Sequence, residues 1–171
     1  MPSNIEIKAR VDNLSALEAR VRTQTDQPAE YLEQDDTFFH CPVGRLKLRD
    51  FGDGTGELIA YRRDDESGPK TSQYRISRTQ DPAGLRDTLS DALGVLGRVR
   101  KSRRVIMIGR TRVHLDQVKG LGDFMELEVV LAEGESPEDG FSEARSLMQS
   151  LAIAEGDLIQ GAYLDHLLAR D

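Results

Sequence analysis

Along most of this chain, apolar and charged residues alternate. Residues 5–11 set Ile5, Ile7, Ala9 and Val11 against Glu6, Lys8 and Arg10, a period of two that predicts a β-strand with one apolar and one charged face. Leu46 and Leu48 alternate in the same way with Arg45, Lys47 and Arg49. Val99, Lys101, Arg103, Val105 and Met107 share one parity, Arg112, His114 and Asp116 share another, and Glu126 and Glu128 oppose Met125, Leu127 and Val129. Over 58–62 the faces are mixed, with Leu58, Ala60 and Arg62 on one parity and Ile59 and Tyr61 on the other. Weaker strands are predicted over 34–40 and 70–78.

Helical spacing is found in three places. Leu14, Leu17 and Val21 recur behind an Asp12-Asn13 cap, predicting a helix over 13–23; Asp81-Pro82 opens a second over 81–93; and a helical tail starts near 137 and divides near 154–156. Helices interspersed with short strands predict an α+β fold with a mainly antiparallel sheet, and eight strands are enough to close a barrel. The expected organisation is one domain over 1–171, with barrel strands and two helices in 1–132 and C-terminal helices in 133–171.

Composition narrows the function classes. The 171 residues carry a net charge of −7, which argues against generic binding to duplex nucleic acid or anionic lipid, since both need a positive field. No stretch approaches the roughly 18 apolar residues of a membrane span, and the N-terminus lacks the basic start and apolar centre of a signal peptide, so a cytoplasmic location is expected. Cys41 is the one cysteine, which excludes an internal disulfide framework and a cysteine zinc cluster.

Charge becomes informative once it is sorted by strand face. Glu6, Lys8, Arg10, Arg45, Lys47, Arg49, Arg62, Lys101, Arg103, Arg112, His114, Asp116, Glu126 and Glu128 form the polar parity: nine basic and four acidic residues besides the histidine. A half-solvated strand ordinarily shows such charges to water. Like charges opposite one another on neighbouring strands are destabilising, so the whole set is better accommodated if a polyanion sits among the cations and the polar face is an interior. On that reading, truncating Lys101 or Arg103 should spare the fold and relieve repulsion. Glu126-x-Glu128 puts two carboxylates about 7 Å apart on one face, and hard divalent cations take one or two carboxylates and complete their shell with water and phosphate oxygens. Anion and cation binders together point to a metal-chelated polyphosphate. The Gly-Asp-Gly-Thr-Gly turn at 52–56 has no following Lys-Ser/Thr and is not read as a phosphate loop. His114 is assigned a phosphate-binding or supporting role, Cys41 none, and Tyr61 and Tyr163 packing, while Tyr74 is the tyrosine that could touch substrate.

These residues resemble the CYTH superfamily, the triphosphate tunnel metalloenzymes, and within it the bacterial class IV adenylyl-cyclase-like branch. The family's first-strand signature Glu-x-Glu-x-Lys reads Asn4-Ile5-Glu6-Ile7-Lys8, with Asn in place of the first Glu. Blocks similar in order and type follow: Asp-Thr-Phe-Phe at 36–39, Gly-Arg-Leu-Lys-Leu-Arg at 44–49, Leu-Ile-Ala-Tyr-Arg at 58–62, Lys101-x-Arg103, Arg112-x-His114-x-Asp116, Glu126-x-Glu128, and Gly-Ala-Tyr-Leu-Asp at 161–165.

The resemblance implies an eight-stranded antiparallel tunnel that binds a triphosphate-containing small molecule, such as ATP or inorganic triphosphate, together with Mg²⁺ or Mn²⁺. It implies phosphate contacts from Lys8, Lys47, Arg49, Arg62, Lys101, Arg103 and Arg112, metal contacts from Glu6, Asp116, Glu126 and Glu128, and catalytic roles for Lys8, Arg62, Asp116 and Glu126. Asn4 makes a single or weaker metal site compatible. Hydrolysis of a phosphoanhydride is the preferred activity; class IV adenylyl cyclase and a non-catalytic polyphosphate-binding module are the alternatives. A homodimer is allowed for.

Overall fold

A computed structural model describes residues 2–63 and 68–170. The elements follow in the order β1 (Ser3–Arg10), α1 (Leu14–Arg22), β2 (Glu30–Phe39), β3 (Arg45–Asp50), β4 (Gly56–Arg63), β5 (Lys70–Thr79), α2 (Pro82–Leu93), β6 (Val95–Ile108), β7 (Thr111–Val118), β8 (Gly122–Val130), α3 (Pro137–Ser150) and α4 (Tyr163–Leu168), with a 3₁₀ turn at Glu155–Asp157. The strands form one closed ring, β1-β5-β4-β3-β2-β6-β7-β8, in which every neighbouring pair is antiparallel. The expected barrel is therefore present. β2 begins four residues earlier than the alternation suggests and β6 extends to 14 residues.

The alternating pattern explains why the ring closes with its charges inward. Ile5, Ile7 and Ala9 are fully buried although they point out of the barrel, because helices cover them. α1 is capped by Asn13, whose side chain accepts from Ala16 N, and packs Leu14, Leu17 and Val21 against Ile7, Ile106, Val113, Leu115, Met125 and Leu127. α3, capped by Ser136, adds Met148 to that cluster, while its Ala144 closes over Ile5 and Val129. The main apolar core thus lies outside the barrel wall, between strands and helices. The charged parity of the same strands has only the interior left to occupy.

One end of the barrel is sealed. α4 inserts Tyr163 and Leu164 among Phe38, Tyr61, Val99, Val118 and Phe124, a second apolar cluster within the ring. The Gly-Asp-Gly-Thr-Gly segment makes the β3–β4 hairpin turn, where Gly52 and Gly54 adopt positive φ and Asp53 Oδ1 accepts from Thr55. Among the described residues no helix is long and apolar enough to cross a membrane.

Candidate functional site

The barrel encloses a cavity of about 510 Å³, within the range of small-molecule sites. Its lining includes seven basic and six acidic side chains. Lys8, Lys47, Arg49, Lys101, Arg103 and Arg112 all face it, as do Glu6, Glu126, Glu128 and His114, so the interior convergence expected from the alternation holds for these ten residues. Arg62 is the exception. Its parity on β4 points outward, where it is exposed, and Ile59 and Tyr61 take the inner face. Closure of the ring decided between the two mixed faces, and Arg62 is withdrawn from the phosphate-binding and catalytic set. Arg10 also stays exposed, near the Phe124 ring, and Arg45 pairs with Asp165 of α4.

The interior is much closer to charge balance than the alternating residues alone suggest, because Glu30, Asp36 and Glu57 also face inward. Asp36 is the most consequential of these. It is 1% exposed and accepts from Arg49 through both oxygens, Nε at 2.9 Å and Nη2 at 2.8 Å. Lys101 Nζ lies 3.2 Å and Lys47 Nζ 3.7 Å from its Oδ2. Burial alone would raise the Asp36 pKa, but Arg49, Lys101 and Lys47 hold it well below the usual carboxylate value. Burial also pushes the Lys101 amine down to about 8, with Asp36 opposing that shift and Arg49 and Arg103 adding to it. The Lys47 amine is also held well below its ordinary value, by burial first and by Arg49 beside it.

A second group of cations gathers on Glu126. Lys8 Nζ is 3.1 Å from Oε1, Arg103 Nη2 donates to Oε2 at 3.1 Å, and His114 Nδ1 stands 3.2 Å from the same oxygen. Burial opposes ionisation of Glu126, yet Lys8, Arg103 and His114 keep its pKa well below normal. Behind it, Arg103 donates Nε and Nη2 to the two oxygens of Asp116, each at 2.7 Å, and Asp116 also accepts from the Tyr163 hydroxyl at 2.8 Å. The Tyr163 ring lies under Lys8 Nζ, 4.1 Å from its centroid, a favourable cation–π geometry. Tyr163 therefore joins the site as well as sealing the barrel, and its own hydroxyl pKa is raised by burial and by Glu126 and Asp116.

The carboxylates expected to share a metal are divided by these pairings. Asp116 and Glu126 are engaged by Arg103, Lys8 and His114, and among the described residues no three His, Cys, Asp or Glu side chains converge as a metal cluster. Glu6 and Glu128 are direct cross-strand partners on β1 and β8 and both line the cavity; Glu128 Oε1 also accepts from Arg112 Nε at 3.0 Å, a surface-side pair that a cation would have to share. Beside them, Asn4 Oδ1 is buried with no hydrogen-bond donor among the described residues. Two carboxylates and an orphaned amide oxygen suit one hard cation whose remaining positions are filled by water and phosphate. A full four-carboxylate site is not assembled.

Residues 3–163, which include the whole ring of eight antiparallel strands, match the family model of the CYTH domain. The chain belongs to the CYTH family. Several solved structures share the fold. A Pyrococcus horikoshii protein superposes with a TM-score of 0.83 at 23% identity, covering 95% of this chain and 98% of its own. A Vibrio parahaemolyticus protein proposed to be an adenylate cyclase gives 0.79 at 18%, covering 96% and 97%. A Hippeastrum protein proposed to be an adenylyl cyclase, with a dominant triphosphatase activity, gives 0.64 at 16%, covering 99% and 95%. At these identities the likeness speaks for the fold. No curated protein matches the chain.

Proposed function

We propose that this CYTH protein is a divalent-metal-dependent triphosphatase, which binds a triphosphate chain inside the barrel and hydrolyses a phosphoanhydride bond. The observation that carries this reading is the convergence of Lys8, Lys47, Arg49, Lys101 and Arg103 on one buried and one partly buried carboxylate, Asp36 and Glu126, within one ring of strands. Asp36 and Glu126 mark two places where an anion is already favoured, and a phosphate chain offers the same chemistry with more charge. Arg49 and Arg103 use Nε and Nη2 for carboxylates, leaving Nη1 of each with no hydrogen-bond acceptor among the described residues and able to donate to substrate oxygens. Lys8, Lys47 and Lys101 supply shorter-range point charges.

Glu6, Glu128 and Asn4 would hold Mg²⁺ or Mn²⁺. Such an ion, when bound, polarises phosphoryl oxygens and offsets their charge. In the hydrolysis, water attacks the terminal phosphorus as the bridging P–O bond breaks, giving orthophosphate and the shortened chain. Lys8 and Arg103 neutralise charge gathering on the leaving oxygen, in a site where water is largely replaced by fixed dipoles and ions. Glu126 orients Lys8, Arg103 and His114, and Asp116 fixes the Arg103 plane.

Incubation with ATP and, separately, with inorganic tripolyphosphate in Mg²⁺ or Mn²⁺ tests the proposal. Orthophosphate release is the expected result. Cyclic AMP with pyrophosphate would make the protein a class IV adenylyl cyclase, and binding without turnover in either metal would make it a non-catalytic polyphosphate-binding module.

A further inference from the structure

The inner face of the barrel is mostly charged or polar, with Leu32, Phe38, Val99 and Val105 interspersed on β2 and β6, and its most continuous apolar stretch is on β4 and β5. Where the alternation suggested Arg62, β4 turns Ile59 and Tyr61 inward; directly opposite them on β5 stand Ile76 and Tyr74. Phe51, just beyond the end of β3, lines the same side. The result is an aromatic and aliphatic wall running from the sealed end toward the mouth. It begins beside the phosphate-binding cations, since Lys47 Nζ is 5.2 Å from the centroid of Tyr61. It ends at Glu57 and Arg78, which are register partners on β4 and β5 and also line the cavity.

Exposure changes along this wall. Ile59 is 7% exposed and Tyr61 9%, whereas Ile76 is 45% exposed although it faces the cavity. Ile59 and Tyr61, with Tyr74 packed against them, belong to the apolar cluster at the sealed end, but Ile76, half in water at the mouth, is in neither that cluster nor the one between strands and helices. Nor does an inorganic phosphate chain have any use for it, because such a chain presents oxygen on every side. A triphosphate esterified to a planar organic group would use both halves of the cavity at once, with phosphates among the cations and the ring laid along Tyr74, Ile76 and Phe51.

We infer that the β4–β5 wall is the subsite for the organic group of the substrate, and that the substrate class is an organic triphosphate of the nucleoside triphosphate kind in preference to inorganic tripolyphosphate. This rests on the triphosphate reading above and adds to it the selection between two ligand classes. Phosphate charge alone would not favour the ester, since tripolyphosphate carries the same three phosphorus centres and a second ionisable end. A preference for the ester therefore measures the wall.

Calorimetric titration of the whole protein with ATP and with tripolyphosphate, for wild type, Ile76→Asp and Tyr74→Ser, reads the inference directly. Wild type should bind ATP the more tightly. Each substitution should weaken ATP about five- to tenfold, the scale expected from losing a partly exposed apolar contact, and leave tripolyphosphate within about twofold. Ile76→Ser serves as a milder variant, and circular dichroism confirms that each is folded. Equal or tighter binding of tripolyphosphate by wild type, or equal weakening of both ligands in folded variants, would overturn the wall's role while leaving the triphosphate site standing. Binding of neither ligand by wild type would remove both readings together.

Discussion

Arg103→Ala is the sharpest test of how the interior charges are held. Arg103 is 6% exposed and donates to both oxygens of Asp116 and to Glu126. Its loss leaves Asp116, which is fully buried, with the Tyr163 hydroxyl, and leaves Glu126 with Lys8 and His114. Breaking a buried ion pair by removing one partner typically costs about 3–5 kcal/mol. For a chain of this size that corresponds to a fall in melting temperature of roughly 6–20 °C. Thermal unfolding followed by circular dichroism measures it, and the paired variant Arg103→Met with Asp116→Leu should recover much of the loss because it leaves less unpaired buried charge. The alternation alone favoured the opposite sign, relief of repulsion on truncation. An Arg103→Ala protein as stable as wild type, or more so, would restore that view and refute the pairing.

The remaining predictions concern the other charged groups. Asp36→Asn removes the shared partner of Lys47, Arg49 and Lys101; it should lower stability in urea by about 3 kcal/mol or more, and tripolyphosphate should raise its melting temperature by more than it raises that of wild type. Lys101, with a folded-state pKa of about 8, lies below its unfolded value near 10.4. Between those limits the unfolded chain binds more protons, so this residue's contribution to stability rises with pH across that window, while metal-free tripolyphosphate binding weakens above pH about 8; in Lys101→Arg the Lys101 part of that binding loss should disappear. Glu128→Gln should cut metal-dependent phosphate release at least about tenfold and leave tripolyphosphate binding in a chelator unchanged or slightly tighter. Arg62→Ala, on the outer face, should change kcat/KM less than about twofold, and a large loss would return Arg62 to the site.

Much of the barrel could be read from local pattern, because apolar and charged residues alternate cleanly on β1, β3, β7 and β8 and the helix caps at Asn13 and Asp81 are where the spacing puts them. Which parity faces inward is a long-range property. It depends on α1 and α3 covering Ile5, Ile7 and Ala9 from outside, and no alternation within a single strand reports that. β4 shows the cost of the missing information, since both its faces carry apolar residues and ring closure alone exposes Arg62. The alternation did not single out Asp36, although it opens the 36–39 block, because Glu33, Asp35 and Asp36 put acid on both parities of β2. Tyr163, inside the 161–165 block, was legible only as a packing residue, because its place beneath Lys8 and Asp116 depends on the tail returning across the barrel end, a contact separated in sequence by more than 40 residues from each.

On the triphosphatase reading the substrate's phosphates lie inside the barrel, between the cations on Asp36 and those on Glu126. A crystal structure of the protein with tripolyphosphate should show phosphorus density within the ring, with oxygens in contact with Lys8, Lys47, Arg49, Lys101 and Arg103. Phosphate bound only on the outer surface, with the interior ion pairs intact, would rule that placement out.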